Sequence, residues 1–380
     1  MKSPVCEMFE IEFPLFAFTH CRDVVVEVSK AGGLGVLGAV AFSPRRLEME
    51  LKWIDEHIDG KPYGVDLIVP AKFETQRSQE TGKKLVERIP QTHKDFARDL
   101  LARFDIDAEA ASDDRLSRGT VIGNNMADSG ALASLDVAFS HPIRMIVNAL
   151  GPPPSFMLER AKREGVPVGA LAGTRDHAIR HAEAGVDIII AAGGEAGGHC
   201  GDVSTMVLVP EVVDAMRDFD DLPVLAAGGI ATGRQMAACM AMGAAGAWTG
   251  SVWLTTTEAE TSPVVKEKML AAGGRDTIRS RSRTGKHARQ LRSAWTDAWE
   301  AEGAPTPLPM PLQSVISEPY LQRVEKLAEG GHDGARELVS YFVGQGVGLM
   351  NKSVDARWVV QEFMEDFADA YDRLQKLFSD

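Results

Sequence analysis

His199 is the residue of this chain best suited to move a proton, and it lies in a glycine-rich loop. The stretch Ala191–Gly201 reads AAGGEAGGHCG, and the apolar run Val186–Ala192 that leads into it is typical of a buried strand. Glycines at a strand end let other backbone segments approach closely. Histidine has the side-chain pKa nearest neutrality, so its surroundings decide whether it accepts a proton. A plain turn with a solvated histidine is the alternative interpretation.

Two further strand ends carry small residues that are suited to binding an anion. Leu225–Gln235 reads LAAGGIATGRQ and Trp248–Trp253 reads WTGSVW, and an apolar strand pattern leads into each glycine. Glycines at such positions expose backbone N–H groups, which can surround a phosphate. Close packing of a helix on a strand is the alternative, and it fits Gly243 and Gly246 better than the other glycines. No GxxxxGK[ST] motif is present, which excludes a P-loop.

Asp66 is a single acid within an apolar strand pattern, YGVDLIVP at Tyr63–Pro70. A carboxyl group in the middle of a buried strand costs free energy unless it has a partner. Asp66 is therefore either paired within the core or directed into a polar site. We favour the site.

Eight apolar runs, each followed by a helical pattern, predict the elements that position these residues. The runs start at Phe13, Val36, Tyr63, Ile143, Pro167, Asp187, Pro223 and Ala245. This alternation predicts a (β/α)8 TIM barrel, and a doubly wound sheet is the competing arrangement. The two anion-binding motifs follow strands seven and eight, whose loops commonly bind phosphate in barrel enzymes. His199 follows strand six.

Two segments depart from the alternation of strands and helices. Residues 71–140, after strand three, are polar and charge-rich, and we expect an insertion over the barrel rim. Beyond Ser262 the alternation stops, and the proline-rich GAPTPLPMP cannot lie inside a helix or a central strand. Asp355–Leu377 has an amphipathic helical pattern that predicts packing on the barrel or on the second subunit of a homodimer. We predict a barrel domain over residues 1–262 and a helical cap over 263–380.

The charge balance and the cysteines exclude several classes of protein. The net charge is −13 without a basic, aromatic-rich patch, so we expect no nucleic-acid or membrane partner, and no uncharged run is long enough to span a bilayer. The basic stretch Arg275–Arg292 can bind an anion such as a nucleotide phosphate, although a basic helix face is typically solvated or paired internally. The four cysteines suit neither a zinc site nor a disulfide scaffold, so we expect no metal and a cytoplasmic protein.

Five glycine-containing motifs are spread along most of the chain. They are AGGLG at Ala31–Gly35, GGEAGGH at Gly193–His199, LAAGGIATG at Leu225–Gly233, GSVWL at Gly250–Leu254 and VGQGVGLM at Val343–Met350. Together they resemble the nitronate monooxygenase family, formerly called 2-nitropropane dioxygenases. The EAGGH element is fairly specific to that family.

The resemblance implies a barrel that binds flavin mononucleotide (FMN), with His199 as the active-site base. It implies a phosphate site after strands seven and eight, and it places Asp66 near the flavin ring, where relatives usually have asparagine. Relatives usually have a Pro-Met pair where this chain has Ala17 and Phe18, so the surface beside the ring is expected to differ. The residues implied in cofactor binding are Ala17, Phe18, Asp66, Gly198, Ala227, Gly228, Gly229, Gly250, Ser251, Gln345 and Gly346.

The leading functional hypothesis is oxidation of alkyl nitronates or nitroalkanes with O2, with His199 as the base. A flavin reductase that takes hydride from NAD(P)H and reduces a quinone or an enoyl thioester is similar in fold and in the EAGGH histidine. A non-redox barrel enzyme that binds a phosphorylated small molecule is the alternative of another class. A Schiff-base aldolase would need a lysine in the barrel, and none of the eight predicted strands contains one.

Overall fold

Eight parallel strands form a closed barrel at the centre of the molecule. The computed structural model describes residues 1–70, 82–108, 121, 125 and 128–377. Their strands are β1 (Leu15–Thr19), β2 (Leu34–Gly38), β3 (Tyr63–Leu67), β4 (Met145–Asn148), β5 (Val168–Ala172), β6 (Ile188–Ala192), β7 (Gly198–His199), β8 (Val224–Ala227), β9 (Gly246–Thr249), β10 (Thr277–Ser280) and β11 (Ala288–Leu291). The barrel order is β1–β2–β3–β4–β5–β6–β8–β9, and β9 closes on β1. The predicted (β/α)8 barrel is confirmed.

Helices connect the strands and form a second layer around them. They are α1 (Pro4–Phe9), α2 (Arg22–Lys30), α3 (Pro44–His57), α4 (Gly82–Glu87), α5 (Gln91–Ala102), α6 (Asp128–Phe139), α7 (Ser155–Glu164), α8 (Arg175–Ala184), α9 (Thr205–Met216), α10 (Gly233–Ala241), α11 (Pro263–Ala271), α12 (Ala294–Glu300), α13 (Leu312–Glu329), α14 (Asp333–Leu338) and α15 (Ala356–Lys376). Two 3₁₀ turns, Ser251–Thr255 and Gln345–Leu349, lie in the predicted cofactor-binding motifs.

Each barrel strand is buried on both faces. In β6, Ile188 and Ile190 belong to a core inside the barrel, whereas Ile189 and Ala191 belong to a core between strands and helices. The inner core also contains Phe16, Val36, Met145, Val147, Leu225 and Trp248. Burial on both faces explains why these strands appear in the sequence as unbroken apolar runs.

The expected insertion, residues 71–140, ends earlier in the structure than in the sequence analysis. Helix α6 packs against α3, and its Ala131, Leu135 and Ala138 belong to the outer barrel core. This helix is therefore the crossover that a parallel barrel needs between β3 and β4. Much of the remaining insertion lies outside the described residues.

A second hydrophobic core joins the insertion to the C-terminal region. Helix α5 of the insertion shares this core with α11, α12, α13 and α14. Its buried members include Leu100, Leu101, Trp295, Trp299, Val324 and Leu338. Two segments that are distant in sequence therefore build one helical lobe beside the barrel.

The last helix packs against the barrel rather than against this lobe. Phe363 and Val360 of α15 belong to the outer barrel core. At Gly233, which begins α10, a Cβ atom would lie 1.8 Å from the carbonyl oxygen of Phe363. Only glycine therefore permits this contact between α10 and α15.

The basic stretch Arg275–Arg292 forms strands, not the helix face that the sequence analysis expected. It contains β10 and β11, which pair with each other, and β11 also pairs with β7 in a three-stranded antiparallel sheet. Alternation of large basic and small residues suits a two-residue strand repeat better than a helix. Among the described helices, none combines the length and apolar character that crossing a bilayer requires.

Candidate active site

A small antiparallel sheet holds His199 at the carboxyl end of the barrel. In β7, His199 is the register partner of Ala288, and Gly198 is the partner of Arg289. The Nε atom of Arg289 donates a hydrogen bond to the carbonyl oxygen of Gly194 at 2.9 Å. The β10–β11 hairpin therefore holds the glycine-rich loop in place and orients His199.

Thr284 and Lys286, in the turn between β10 and β11, flank the imidazole. The Thr284 hydroxyl lies 2.8 Å from Nε2 of His199 and 3.1 Å from the carbonyl oxygen of Lys286. The residue surface of His199 is exposed in part, but protein atoms surround much of the imidazole ring. This burial and, secondarily, the charge of Lys286 lower the pKa of His199 to about 4. The imidazole is therefore neutral near pH 7 and can accept a proton.

Asp66 lies inside the barrel near the end of β3. Its residue surface is 2 % exposed, and its Oδ1 atom has no hydrogen-bond partner. Burial raises its pKa well above the usual range for a carboxyl group. Of the two interpretations of Asp66 from the sequence, the unpartnered Oδ1 atom fits the favoured one, a polar site, better than pairing in the core.

Side-chain donors bind the carbonyl groups of the two glycines in the loop after β8. The Gly228 carbonyl oxygen accepts from Oγ1 of Thr205 at 3.0 Å, and the Gly229 carbonyl oxygen accepts from Nε2 of Gln235 at 2.9 Å. Both glycines have positive φ angles, 111° and 70°, which other residues rarely adopt. In the described part of the chain, their N–H groups take no part in the loop hydrogen bonds. Those N–H groups can therefore bind a ligand.

The segment 344–349 contacts three other loops, which contain Glu195, Gly229 and Ser251. The Gly344 N–H donates to Oγ of Ser251 at 2.8 Å, and the Gln345 N–H donates to the Glu195 carbonyl oxygen at 2.9 Å. A Cβ atom on Gly346 would lie 2.7 Å from the carbonyl oxygen of Gly229. The structure thus brings the predicted positions Gly229, Ser251, Gln345 and Gly346 into one backbone cluster.

The remaining predicted cofactor residues lie on different faces of the barrel. The rings of Phe18 and Trp248 are 6.0 Å apart and stacked, and Phe18 packs on the inner core with Ala227. Ala17 points the other way, because its side chain belongs to the outer core between strands and helices. Its side chain therefore cannot face a ligand in the barrel mouth. At Gly250, the described residue nearest to the Cβ position, apart from its chain neighbours, is Phe18 at 3.7 Å.

Three structural contributors to this site were not identified from the sequence: Thr284, Lys286 and Arg289. A signal was available, because Arg279–Arg283 reads RSRSR, an alternation with the two-residue period of a strand. The pairing of that hairpin with residues 198–199 could not be predicted from local pattern. The acid of the glycine loop, Glu195, has a structural role, since its Oε2 accepts a hydrogen bond from the N–H of Thr205 at 2.8 Å.

Known proteins resemble this chain over nearly its whole length. The family model described as nitronate monooxygenase matches residues 2–366. A relative from Mycobacterium tuberculosis, named "Putative monooxygenase Rv1533", is 54% identical over 379 residues, which is 99% of each chain. A relative from Staphylococcus haemolyticus, named "Probable nitronate monooxygenase", is 27% identical over 354 residues, covering 89% of this chain and 90% of its own.

Two solved structures share the fold. A nitroalkane oxidase from Streptomyces ansochromogenes aligns with a TM-score of 0.79 and 24% identity, covering 97% of this chain and 99% of its own. FabK from Thermotoga maritima aligns with a TM-score of 0.72 and 25% identity over 99% of both chains. The match of the family model and the identity to the mycobacterial relative decide the assignment. The chain belongs to the nitronate monooxygenase family, a family of flavin-dependent oxidoreductases.

Proposed function

We propose that this protein is an FMN-dependent nitronate monooxygenase that oxidises alkyl nitronates and nitroalkanes with O2. The observation that carries the proposal is His199, a neutral imidazole at the carboxyl end of the barrel beside the glycine-rich loops. A relative named as a nitronate monooxygenase supports the substrate class. The four free cysteines, Cys6, Cys21, Cys200 and Cys239, fit a reducing compartment, and we place the protein in the cytoplasm.

The residues at the barrel mouth fit a flavin mononucleotide. The unpartnered Oδ1 of Asp66 offers a polar contact to a heterocyclic ring inside an otherwise apolar barrel. The N–H groups of Gly228 and Gly229 suit a phosphate, since their carbonyl groups already have donors. A Cβ atom on Gly250 would be in ordinary van der Waals contact with Phe18, at 3.7 Å, so this position is not tightly packed. These loops would hold the phosphate, and Asp66 and Phe18 would lie beside the ring.

His199 moves a proton in this proposal. The flavin, when bound, supplies the redox chemistry, since it accepts electrons from the nitronate and returns them to O2. The single hydrogen of the Thr284 hydroxyl can donate to the Lys286 carbonyl oxygen, which can only accept. The same hydroxyl then accepts the Nε2–H of His199, which leaves Nδ1 free to take the carbon-bound proton of a nitroalkane. A preformed nitronate has already lost that proton and needs no base.

The pH dependence of nitroalkane oxidation tests the protonation state of His199. Only the neutral imidazole accepts a proton, so activity should fall as the pH drops through about 4, the pKa of His199. The positive charge of Lys286 holds this pKa down, so Lys286→Gln should move the acid limb of the kcat/KM profile to higher pH. Lys286→Arg keeps the charge and should leave the limb in place. Identical profiles for wild type and Lys286→Gln would argue against this electrostatic coupling.

The choice of electron donor separates this proposal from its rival, an NAD(P)H-dependent reductase. Anaerobic mixing of the purified holoprotein with an alkyl nitronate should bleach the flavin absorbance within the turnover time, and air should restore it. NADH and NADPH should bleach it much more slowly. Rapid bleaching by a nicotinamide and none by the nitronate would reject the monooxygenase proposal in favour of the reductase. A purified protein without flavin absorbance would favour the non-redox barrel enzyme.

A further inference from the structure

One face of the three-stranded antiparallel sheet is cationic, and it is not the face that carries His199. Arg279 on β10 and Arg289 on β11 are register partners, so their side chains leave the sheet on the same side. Ala288 precedes Arg289 and is the register partner of His199, which places those two side chains on the opposite side. The side that bears Arg279 and Arg289, the arginine face, is therefore separate from the proton-transfer site.

The two guanidinium groups of the arginine face converge beside Cys200. The Nε atom of Arg279 donates to the Cys200 carbonyl oxygen at 3.3 Å, and Nε of Arg289 donates to the Gly194 carbonyl oxygen at 2.9 Å. The Cys200 thiol donates to the same Gly194 oxygen at 3.7 Å. Burial raises the pKa of this thiol, and the charges of Arg289 and Arg279 act against that effect. Both cations thus act on one point of the surface.

No carboxylate of the described residues forms an ion pair with Arg279 or Arg289. Two like charges directly opposite each other on an antiparallel pair are destabilising. The chain has 54 acidic and 41 basic residues, so a shortage of acids does not explain this pair. Arg283, in the same basic stretch, does have an acid, Glu318. The arginine face therefore keeps a positive charge that an anionic ligand can neutralise.

The neighbouring side chains leave this positive charge in place. The pKa of His287 is lowered by burial and then by the charges of Arg279 and Arg281. Glu300 and Asp202 act in the opposite direction, and theirs are the smaller effects. The electrostatic potential beside His287, which is exposed next to the arginine face, is therefore set by the arginines.

Two converging guanidinium groups suit a phosphate group better than a carboxylate. Each guanidinium presents a planar fork of N–H donors, and one fork is enough for both oxygens of a carboxylate. A phosphate monoester has three terminal oxygens and a charge of about −1.5 to −2 at pH 7, so it can accept from two forks at once. Space exists beside Arg289, because no described atom outside the adjacent residues lies within 4 Å of the Cβ position of its register partner Gly198.

We propose that Arg279 and Arg289 bind the phosphate group of a small molecule on the sheet face opposite His199. This site is separate from the flavin-binding loops around Gly229 and does not depend on which substrate the flavin oxidises. The phosphate can come from free inorganic phosphate or from a nucleotide. Arg289 connects the bound group to the glycine-rich loop, since its Nε atom already holds the Gly194 carbonyl oxygen.

Calorimetric titration of the flavin-loaded full-length protein tests this site. Inorganic phosphate and adenosine monophosphate are the probes, adenosine is the uncharged control, and low ionic strength limits screening. Each phosphate probe should bind once per chain, and adenosine should not bind. Arg279→Gln should raise the dissociation constants about tenfold or more, because a charge-assisted contact is lost. Arg292→Gln is the matched control and should change them less than about twofold, since exposed Arg292 already pairs with Asp297 at 2.7 Å.

Alkylation of Cys200 in the wild-type protein gives a second measurement that needs no variant to fold. Cys200 is half-buried, whereas Cys6, Cys21 and Cys239 are buried, so iodoacetamide should modify Cys200 first. Either phosphate probe should slow this modification, and adenosine should not. Tighter binding of adenosine monophosphate than of inorganic phosphate would identify the ligand as a nucleotide, and equal affinities would identify it as free phosphate.

Three results would overturn the inference of a phosphate site. They are the absence of saturable binding, equal losses of affinity in Arg279→Gln and Arg292→Gln, and release of the flavin by added phosphate, which would place the phosphate in the flavin-binding loops. Alkylation of Cys200 at an unchanged rate with either probe present would overturn it as well. None of these results would bear on the oxidation of nitronates.

Discussion

Replacement of His199 by asparagine is expected to lower kcat/KM for a neutral nitroalkane by about 10²- to 10⁴-fold, the usual contribution of a positioned general base. The same variant should retain its flavin, because the glycine cluster around Gly229 and Gly346 does not depend on the imidazole. Turnover of a preformed nitronate should stay close to wild type, since that substrate has already lost the proton. Steady-state oxygen consumption with the two forms of one nitro compound measures this split.

The contrast between the two substrates makes the test specific to proton transfer. A general loss of structure or of flavin would lower both activities together, and flavin absorbance would reveal it. His177→Asn is the matched control, because His177 lies exposed on α8 and takes no part in the contacts of His199 with β11 and Thr284. Unchanged nitroalkane turnover in His199→Asn would return His199 to a structural role within β7.

The barrel could be predicted because its strands are buried on both faces. Runs such as Ile188–Ala192 need no partner information to be recognised, and the glycines that follow them mark the carboxyl ends of the strands. Since a parallel barrel gathers those ends at one rim, strand order alone brings His199 near the loops of Gly229 and Gly250. Local pattern was therefore sufficient to bring these loops to one end of the barrel.

Local pattern was not sufficient for the contacts that tune the site. Thr284 reaches His199 across 85 positions of sequence, and only the pairing of β7 with β11 brings them together. Helix α5 and helix α12 share one core although most of the barrel lies between them in the chain. Such contacts depend on which of several surfaces meet, and periodicity within one segment carries no information about that choice. The first strand alone does not show which face is inner either, so the burial of the Ala17 side chain in the outer core could not be predicted from local pattern.

The hairpin that carries Thr284 is anchored by an ion pair buried in the helical lobe. Arg283 donates to Glu318 through Nε at 2.7 Å and through Nη2 at 3.2 Å, and both side chains are 5% exposed. The Arg283 Nη1 atom also donates to the Ser340 carbonyl oxygen at 3.3 Å, and the guanidinium lies over the Phe342 ring. Because Arg283 directly precedes Thr284 in the chain, the pair fixes the turn that contacts His199.

Glu318→Gln is therefore expected to lower the free energy of unfolding by about 3–5 kcal/mol, since it leaves a buried guanidinium without its counter-charge. Chemical denaturation followed by tryptophan fluorescence measures the change. Nitroalkane turnover should fall along with stability, because the turn that positions His199 loses its anchor. Glu267→Gln is the control. Both carboxylate oxygens of Glu267 accept from Arg336, at 2.8 and 2.9 Å, but this pair is solvent-exposed. An exposed ion pair contributes little to the free energy of unfolding. Equal destabilisation by the two substitutions would show that burial of the Arg283–Glu318 pair does not govern the stability of this lobe.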